Sequence, residues 1–222
     1  MNASPTIKRD ARSKILDAAL HLIRAQGFAA TSVDDLCKQA GVTKGAFFHH
    51  FKSKDELGVA AANYWSEVTS ALFRSAPYHA PKDPLARILA YLDFRKGLIV
   101  GDLPDFTCLV GTMVQETYDS APAIRDACYA SISGHAQTLE ADIEACIHKY
   151  AANSELNAPS LALHTQAVIQ GAFILAKASG RSQLAADSID HLRRYFELLF
   201  AKPRTAPAAV KQERARRVKR SH

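Results

Sequence analysis

The stretch from Gly27 to Lys54 carries more helix punctuation than long elements could use, and that limits the fold more than any other feature. Thr31-Ser32-Val33-Asp34-Asp35 offers a Thr or Ser N-cap followed by acids in the first turn, both favourable at the positive end of a helix. Gly41 stops that helix after Gln39, Val42 is apolar, and Thr43 caps again ahead of Ala46, Phe47 and Phe48, so a third short helix should run to about His50. Upstream, Ile15, Ala18, Ala19, Leu22 and Ile23 share one face of a helix running from Asp10 or Ser13 to Gln26, which Gly27 closes and Phe28 follows as an apolar plug. Two short helices joined by a glycine turn form a helix-turn-helix.

Ser53 with Glu56 has the S-x-x-E form of a capping box and should start a longer helix through Trp65 towards Ser75. Pro77, Pro81 and Pro84 mark a linker, and helical patterning continues over residues 84–100, 104–118, 121–151, 159–179 and 182–201. No strand-like alternation and no internal repeat interrupts it. With only 10 Gly and 9 Pro in 222 residues and 48% hydrophobic content, the chain can bury a sizeable core and is expected to be all-α. The expected divisions are a head over 1–56, a helical body over 57–201 and a basic, disordered tail over 202–222.

The net charge of +6 is unevenly placed. Eight Lys or Arg against Glu213 give the tail +7, the head carries +3, and the body is left at −4. Basic ends suggest a polyanion, with nucleic acid the first expectation, while the acidic middle favours neutral or cationic small ligands over anions. The first ten residues are polar, and no apolar run approaches the roughly 18 to 20 residues that cross a bilayer, so a cytoplasmic protein without membrane contact is expected. Cys37, Cys108, Cys128 and Cys146 are too sparse for a disulfide framework or a zinc motif. His49 and His50 are adjacent and do not converge on a metal. Phosphate-loop, nucleophile-elbow and HExxH patterns are missing, so no catalytic residue, cofactor or metal site is expected, and no enzyme.

The run TSVDDLCKQAGVTKGAFFHHFKSK over residues 31–54 resembles the DNA-binding domain of TetR/AcrR-type transcriptional regulators, and the similarity is strong over about 13–65. The resemblance implies an all-α homodimer of about nine helices per subunit, with three N-terminal helices on double-stranded DNA and the rest holding an effector pocket and the dimer interface. It implies a ligand-responsive regulator of the repressing kind, released from a palindromic operator by a small-molecule effector. The alternative is a small-molecule binding protein or helical enzyme with a vestigial head. A recognition helix needs a small polar end near the bases and an apolar flank against the first helix. Thr43, Lys44, Gly45 and Ala46 supply the end; Val42, Phe47 and Phe51 supply the flank. Lys44 can donate to guanine, Thr43 can reach a phosphate or base edge, and His49, His50 and Lys54 fall where phosphates run. Thr31 and Ser32 can donate to the DNA backbone. Phe48 stands where the family usually has a tyrosine, which removes one phosphate hydrogen bond.

In the body, DFTCLVGTMVQETY over residues 105–118 puts Cys108 near a helix start, where the dipole favours a thiolate. The pattern from Gly171 to Lys177 resembles a helix of a subgroup that includes sensors of reactive electrophiles, which makes Lys177 a candidate partner for Cys108. A buried small hydrophobe and a solvated lysine are the alternatives. The resemblance places Trp65, Tyr91, Phe94, Phe106, Gln115, Tyr118 and Phe173 around the effector cavity, which suits an apolar or electrophilic molecule. Val168, Ile169, Phe173 and Ile174, then Ile189, Leu192, Phe196, Leu199 and Phe200, make the last two helices apolar on more than one side. The resemblance assigns that surplus to a four-helix dimer seam; packing within one subunit is the alternative.

Overall fold

The computed structural model describes residues 10–152 and 154–201; the basic tail assigned to 202–222 lies outside them. Ten α-helices and one 3-10 turn make up the described chain, with no strand among the described residues. They are α1 (Ala11–Gln26), α2 (Val33–Ala40), α3 (Lys44–His50), α4 (Lys54–Arg74), α5 (Pro84–Gly97), α6 (Leu103–Phe106), α7 (Leu109–Thr117), α8 (Pro122–Tyr150), α9 (Ala158–Ser179) and α10 (Gln183–Leu199).

The head folds where its caps direct it. Ser32 rather than Thr31 caps α2, in a reciprocal box with Asp35, and Gly41 ends that helix in the left-handed region at φ 64°. Thr43 and Ser53 cap α3 and α4, each accepting from the amide three residues on. The expected box at Ser53 is only half formed, because Glu56 takes the amide of Lys52 and leaves that of Ser53.

The expected helix over 104–118 is two. Thr107 and Cys108 are extended, at ψ 159° and 125°, so α6 stops after one turn and α7 starts afresh with Cys108 at its N-cap. Gly101 lies at φ +82°, and a Cβ there would collide with Asp105, whose carboxylate accepts the amide of Asp102. This break raises the helix count from nine to ten.

Two cores result. One gathers α1, α2 and α3 with the start of α4, and is completed from the body by Leu109, Val110 and Met113 of α7 and Ile124 and Cys128 of α8. The other joins the end of α4 to α5, α8, α9 and α10 around Tyr91, Ile143, Ile169 and Phe196. Ile169, Phe173, Ile189, Leu192, Phe196 and Phe200 are all buried in the subunit's own core. That corrects their reading as the surplus surface of the last two helices, since only Ile174 of the expected set is exposed there. The apolar surface that remains on these helices is Leu163, Ile174, Leu175, Tyr195 and Leu198.

Candidate functional site

The three short helices present one edge of α3 to solvent. Phe47 is fully buried and Phe51 nearly so, which seats α3 on the head core, whereas Thr43, Lys44, Gly45 and His49 are exposed. Ala46 and His50 are half-buried beside them. Lys44 extends to Asp34 of α2, Nζ to Oδ1 2.7 Å, and the carboxylate pulls its ammonium pKa upward through that hydrogen bond. Phe48 is 53% exposed and packs edge-on against Phe47, so it faces outward with a bare ring. His49 and His50 lie edge-to-face at 4.9 Å.

Three of the predicted contacts have employment inside the fold. The Thr31 hydroxyl is buried and donates to the Gly27 carbonyl at 2.6 Å, so it does not face outward. Ser32 remains exposed but its hydroxyl works as the α2 cap. Lys54 donates to the Ala29 carbonyl at 3.0 Å and sits 4.6 Å from the Phe28 ring centre, which draws it back from the surface of α3.

A cavity of about 160 Å³ opens between α4, α5, α8 and α9, with α6 and the 107–108 break as its rim. Trp65, Phe106, Cys108 and Phe173 line it. The other predicted cavity residues lie elsewhere. Tyr91 is buried behind the wall, its hydroxyl 2.9 Å from His135 Nε2 and 3.3 Å from the Gln166 amide that donates to it. Phe94 packs on Phe73 in the neighbouring aromatic cluster. Gln115 is on the outer face of α7, bonded to the Gly111 carbonyl, and Tyr118 caps the end of that helix, 63% exposed. Lys177 is half-buried outside the lining and donates to Thr112 at 2.7 Å; Thr112 in turn donates to the Cys108 carbonyl. Burial lowers the Lys177 ammonium pKa, with Cys108 and Glu116 opposing.

Sequence reasoning missed Arg95, His135, Gln166 and Gln170, which line the cavity beside Thr69, Asp105 and Ser131. His135 and Gln166 belong to helices that read as apolar stretches, so only the packing reveals that their side chains converge. Burial, helped by the charge of Arg95, pushes the His135 pKa down to about 3, so its imidazole is neutral.

The cavity rim and α7 are both tied to the head. Arg24, in the last turn of α1, donates to the Asp105 carbonyl at 3.0 Å and stacks 5.2 Å from the Trp65 ring. Glu116 of α7 accepts the Ala29 amide at 2.7 Å, the same residue whose carbonyl Lys54 holds. Gly27, at φ +91°, makes room for this carboxylate, because a Cβ there would strike Glu116.

A short helix pair with an exposed polar edge, joined to a helical body that holds a mixed apolar and polar cavity, defines a DNA-binding regulator of the helix-turn-helix class. Residues 15–61 match the family described as bacterial regulatory proteins, tetR family, and residues 84–192 match the tetracyclin repressor-like C-terminal domain. The chain belongs to the tetR family and is a DNA-binding transcriptional regulator. Among its relatives, the HTH-type transcriptional regulator LmrA of Bacillus subtilis (strain 168) is 27% identical over 173 residues, 75% of this chain and 86% of that one. The uncharacterized regulator YxaF of the same organism is 29% identical over 116 residues, which span 47% of this chain and 60% of that one. A TetR transcriptional regulator from Chloroflexus aurantiacus J-10-FL, solved as a crystal structure, superposes with a TM-score of 0.72 at 26% identity, over 83% of this chain and 93% of that one. Among the described residues no helix is long and apolar enough to cross a membrane.

Proposed function

We propose that this chain is a cytoplasmic homodimeric repressor whose α3 enters the major groove of a palindromic operator and whose cavity takes a small molecule that releases it. The observation that carries the reading is the exposed edge formed by Thr43, Lys44 and Gly45 on a helix whose opposite side is anchored by Phe47 and Phe51. Residues 1–56 read DNA, and 57–201 hold the effector and the partner subunit. Ser32, Ala46, Phe48, His49 and His50 border the same edge, with the two histidines and the Ser32 turn nearest the phosphates. Release follows population shift: an effector favours the conformation in which two recognition helices no longer match successive major grooves. Arg24, Asp105 and Trp65 give that preference a route, since cavity wall and first helix share them.

Fluorescence anisotropy on DNA from the region upstream of the chain's own gene tests this. Lys44→Ala should lose about 1 to 3 kcal/mol on the operator and far less on scrambled DNA. Equal binding of both DNAs by the wild-type protein, or an operator affinity indifferent to Lys44→Ala, would overturn the assignment of α3.

An electrophilic effector is favoured by one further observation. Cys108 alone among the four thiols lines the cavity and is not fully buried. Lys177 reaches the Cys108 backbone carbonyl, not its sulfur, through the Thr112 hydroxyl.

A further inference from the structure

The charge balance of the body argues against an anionic ligand, but the cavity itself is built the other way. Arg95 of α5 projects into it with its guanidinium 5.2 Å from the centre of Phe73 and 5.8 Å from that of Phe173. Those ring contacts hold the cation in place, yet among the described residues its N–H donors meet no carboxylate and no carbonyl. Arg87 and Arg193, by contrast, are paired with carboxylates: Arg87 with Asp142 at 2.8 Å and Arg193 with Asp93 at 3.0 Å. The one acid in the lining is committed elsewhere, as Asp105 takes the Asp102 amide and faces Arg24. His135, close to Arg95, is neutral and adds no competing charge.

Two carboxamides join Arg95 on the polar side, with the hydroxyls of Thr69 and Ser131 also in the lining. Gln166 is anchored to the Tyr91 hydroxyl. Gln170 packs on Gly111, where any Cβ would collide with it, and its amide has no hydrogen-bond partner among the described residues. Four aromatic rings, Trp65, Phe73, Phe106 and Phe173, share the rest of the wall with aliphatic side chains such as Leu72, Leu98 and Ile132. A guanidinium is a rigid fork of donors that matches a carboxylate two-to-two. Apolar space of this order, about 160 Å³, accommodates a benzene-sized ring.

We propose that the ligand of this cavity is a small aromatic or conjugated carboxylate, its anionic end forked by Arg95 and assisted by Gln170, its flat body between the aromatic walls. The proposal rests on the reading of the cavity as an effector site and adds the ligand's chemical class. The Cys108 sulfur, on the same wall, would lie beside the conjugated body of such a molecule.

Trp65 is the only tryptophan and lines the cavity, so its emission reports occupancy without a label. The probes are trans-cinnamate and benzoate with their neutral counterparts cinnamamide and benzamide, titrated into the full chain and checked by calorimetry. At least one acid should bind tenfold or more tightly than its amide. Arg95→Gln should erase that preference, with a far-ultraviolet circular dichroism spectrum matching the wild type showing that the variant is folded. Arg95→Lys keeps the charge without the fork, and should lower acid affinity severalfold while retaining the preference; it decides the matter if Arg95→Gln does not fold. Amides that bind as well as the acids, or a preference that survives Arg95→Gln, would overturn the anionic class and leave the cavity reading standing. If none of the four probes binds, both fall.

Discussion

At the scale of single residues, burial sets which thiol can respond to chemistry. Cys37, Cys128 and Cys146 are buried, and burial pushes the last two to about 12, far from the thiolate that reacts. Cys108 is half-buried on the cavity wall. Brief maleimide treatment followed by mass spectrometry should therefore label Cys108 ahead of the other three, and prior occupancy of the cavity should slow the reaction. Labelling of Cys108 at the rate of Cys37 would make it an ordinary packing residue. Lys44 shows the same logic for charge: its pair with Asp34 is open to solvent and worth little to stability, so it costs little to exchange the carboxylate for a base edge. Thr31 illustrates the reverse, a hydroxyl that looks available in the sequence but closes the α1–α2 turn from within.

At the scale of elements, the last two helices divide into an inner and an outer face. Phe196 is fully buried against α9 and α5, while Leu198, two positions on, is 77% exposed; Leu175 on α9 is 55% exposed. An outer apolar face on adjacent helices is the surface on which a second copy would close a four-helix seam. Leu198→Glu and Leu175→Glu should yield folded monomers by analytical ultracentrifugation, with operator affinity reduced. Phe196→Ala should instead lower unfolding stability by about 3 to 5 kcal/mol through the cavity it leaves. Dimers that persist in both glutamate variants would move the seam elsewhere. The helices of the head were legible because caps and glycines mark their ends: Ser32, Gly41, Thr43 and Ser53 act where their types suggest. The break at Thr107 and Cys108 was not, since neither residue is a helix breaker, and the Asp102–Asp105 box behind Gly101 marks only where α6 starts. Inner and outer faces of α9 and α10 were also illegible, because both are apolar and only packing tells them apart. The cavity's aromatic residues were partly legible by type, whereas Arg95 and Gln170 carry no local signal of facing inward.

At the scale of the whole molecule, acid should loosen the body before it reaches the carboxylates. His135 in the unfolded chain takes up a proton near its ordinary value of 6.5, but in the folded chain only near 3. Between those values the unfolded state binds more protons, so stability falls as pH drops from 6.5 towards 3. Asp83, whose pKa is held below the usual range by Lys149, Tyr150 and the Ala86 amide, contributes a loss only as pH falls below about 4. The urea midpoint of the wild-type protein should fall between pH 7 and pH 5, and His135→Asn should flatten that interval; an unchanged slope in the variant would remove His135 from the account. The shared core has a different consequence. Leu109, Val110, Met113, Ile124 and Cys128 lie deep in the body's sequence yet close the packing of the head. A chimaera that grafts residues 1–56 onto the body of a relative would set the underside of α1 against unmatched side chains unless those five positions were carried across with it. For this architecture, then, the unit that recombination can exchange is discontinuous in sequence: a head together with one face each of α7 and α8.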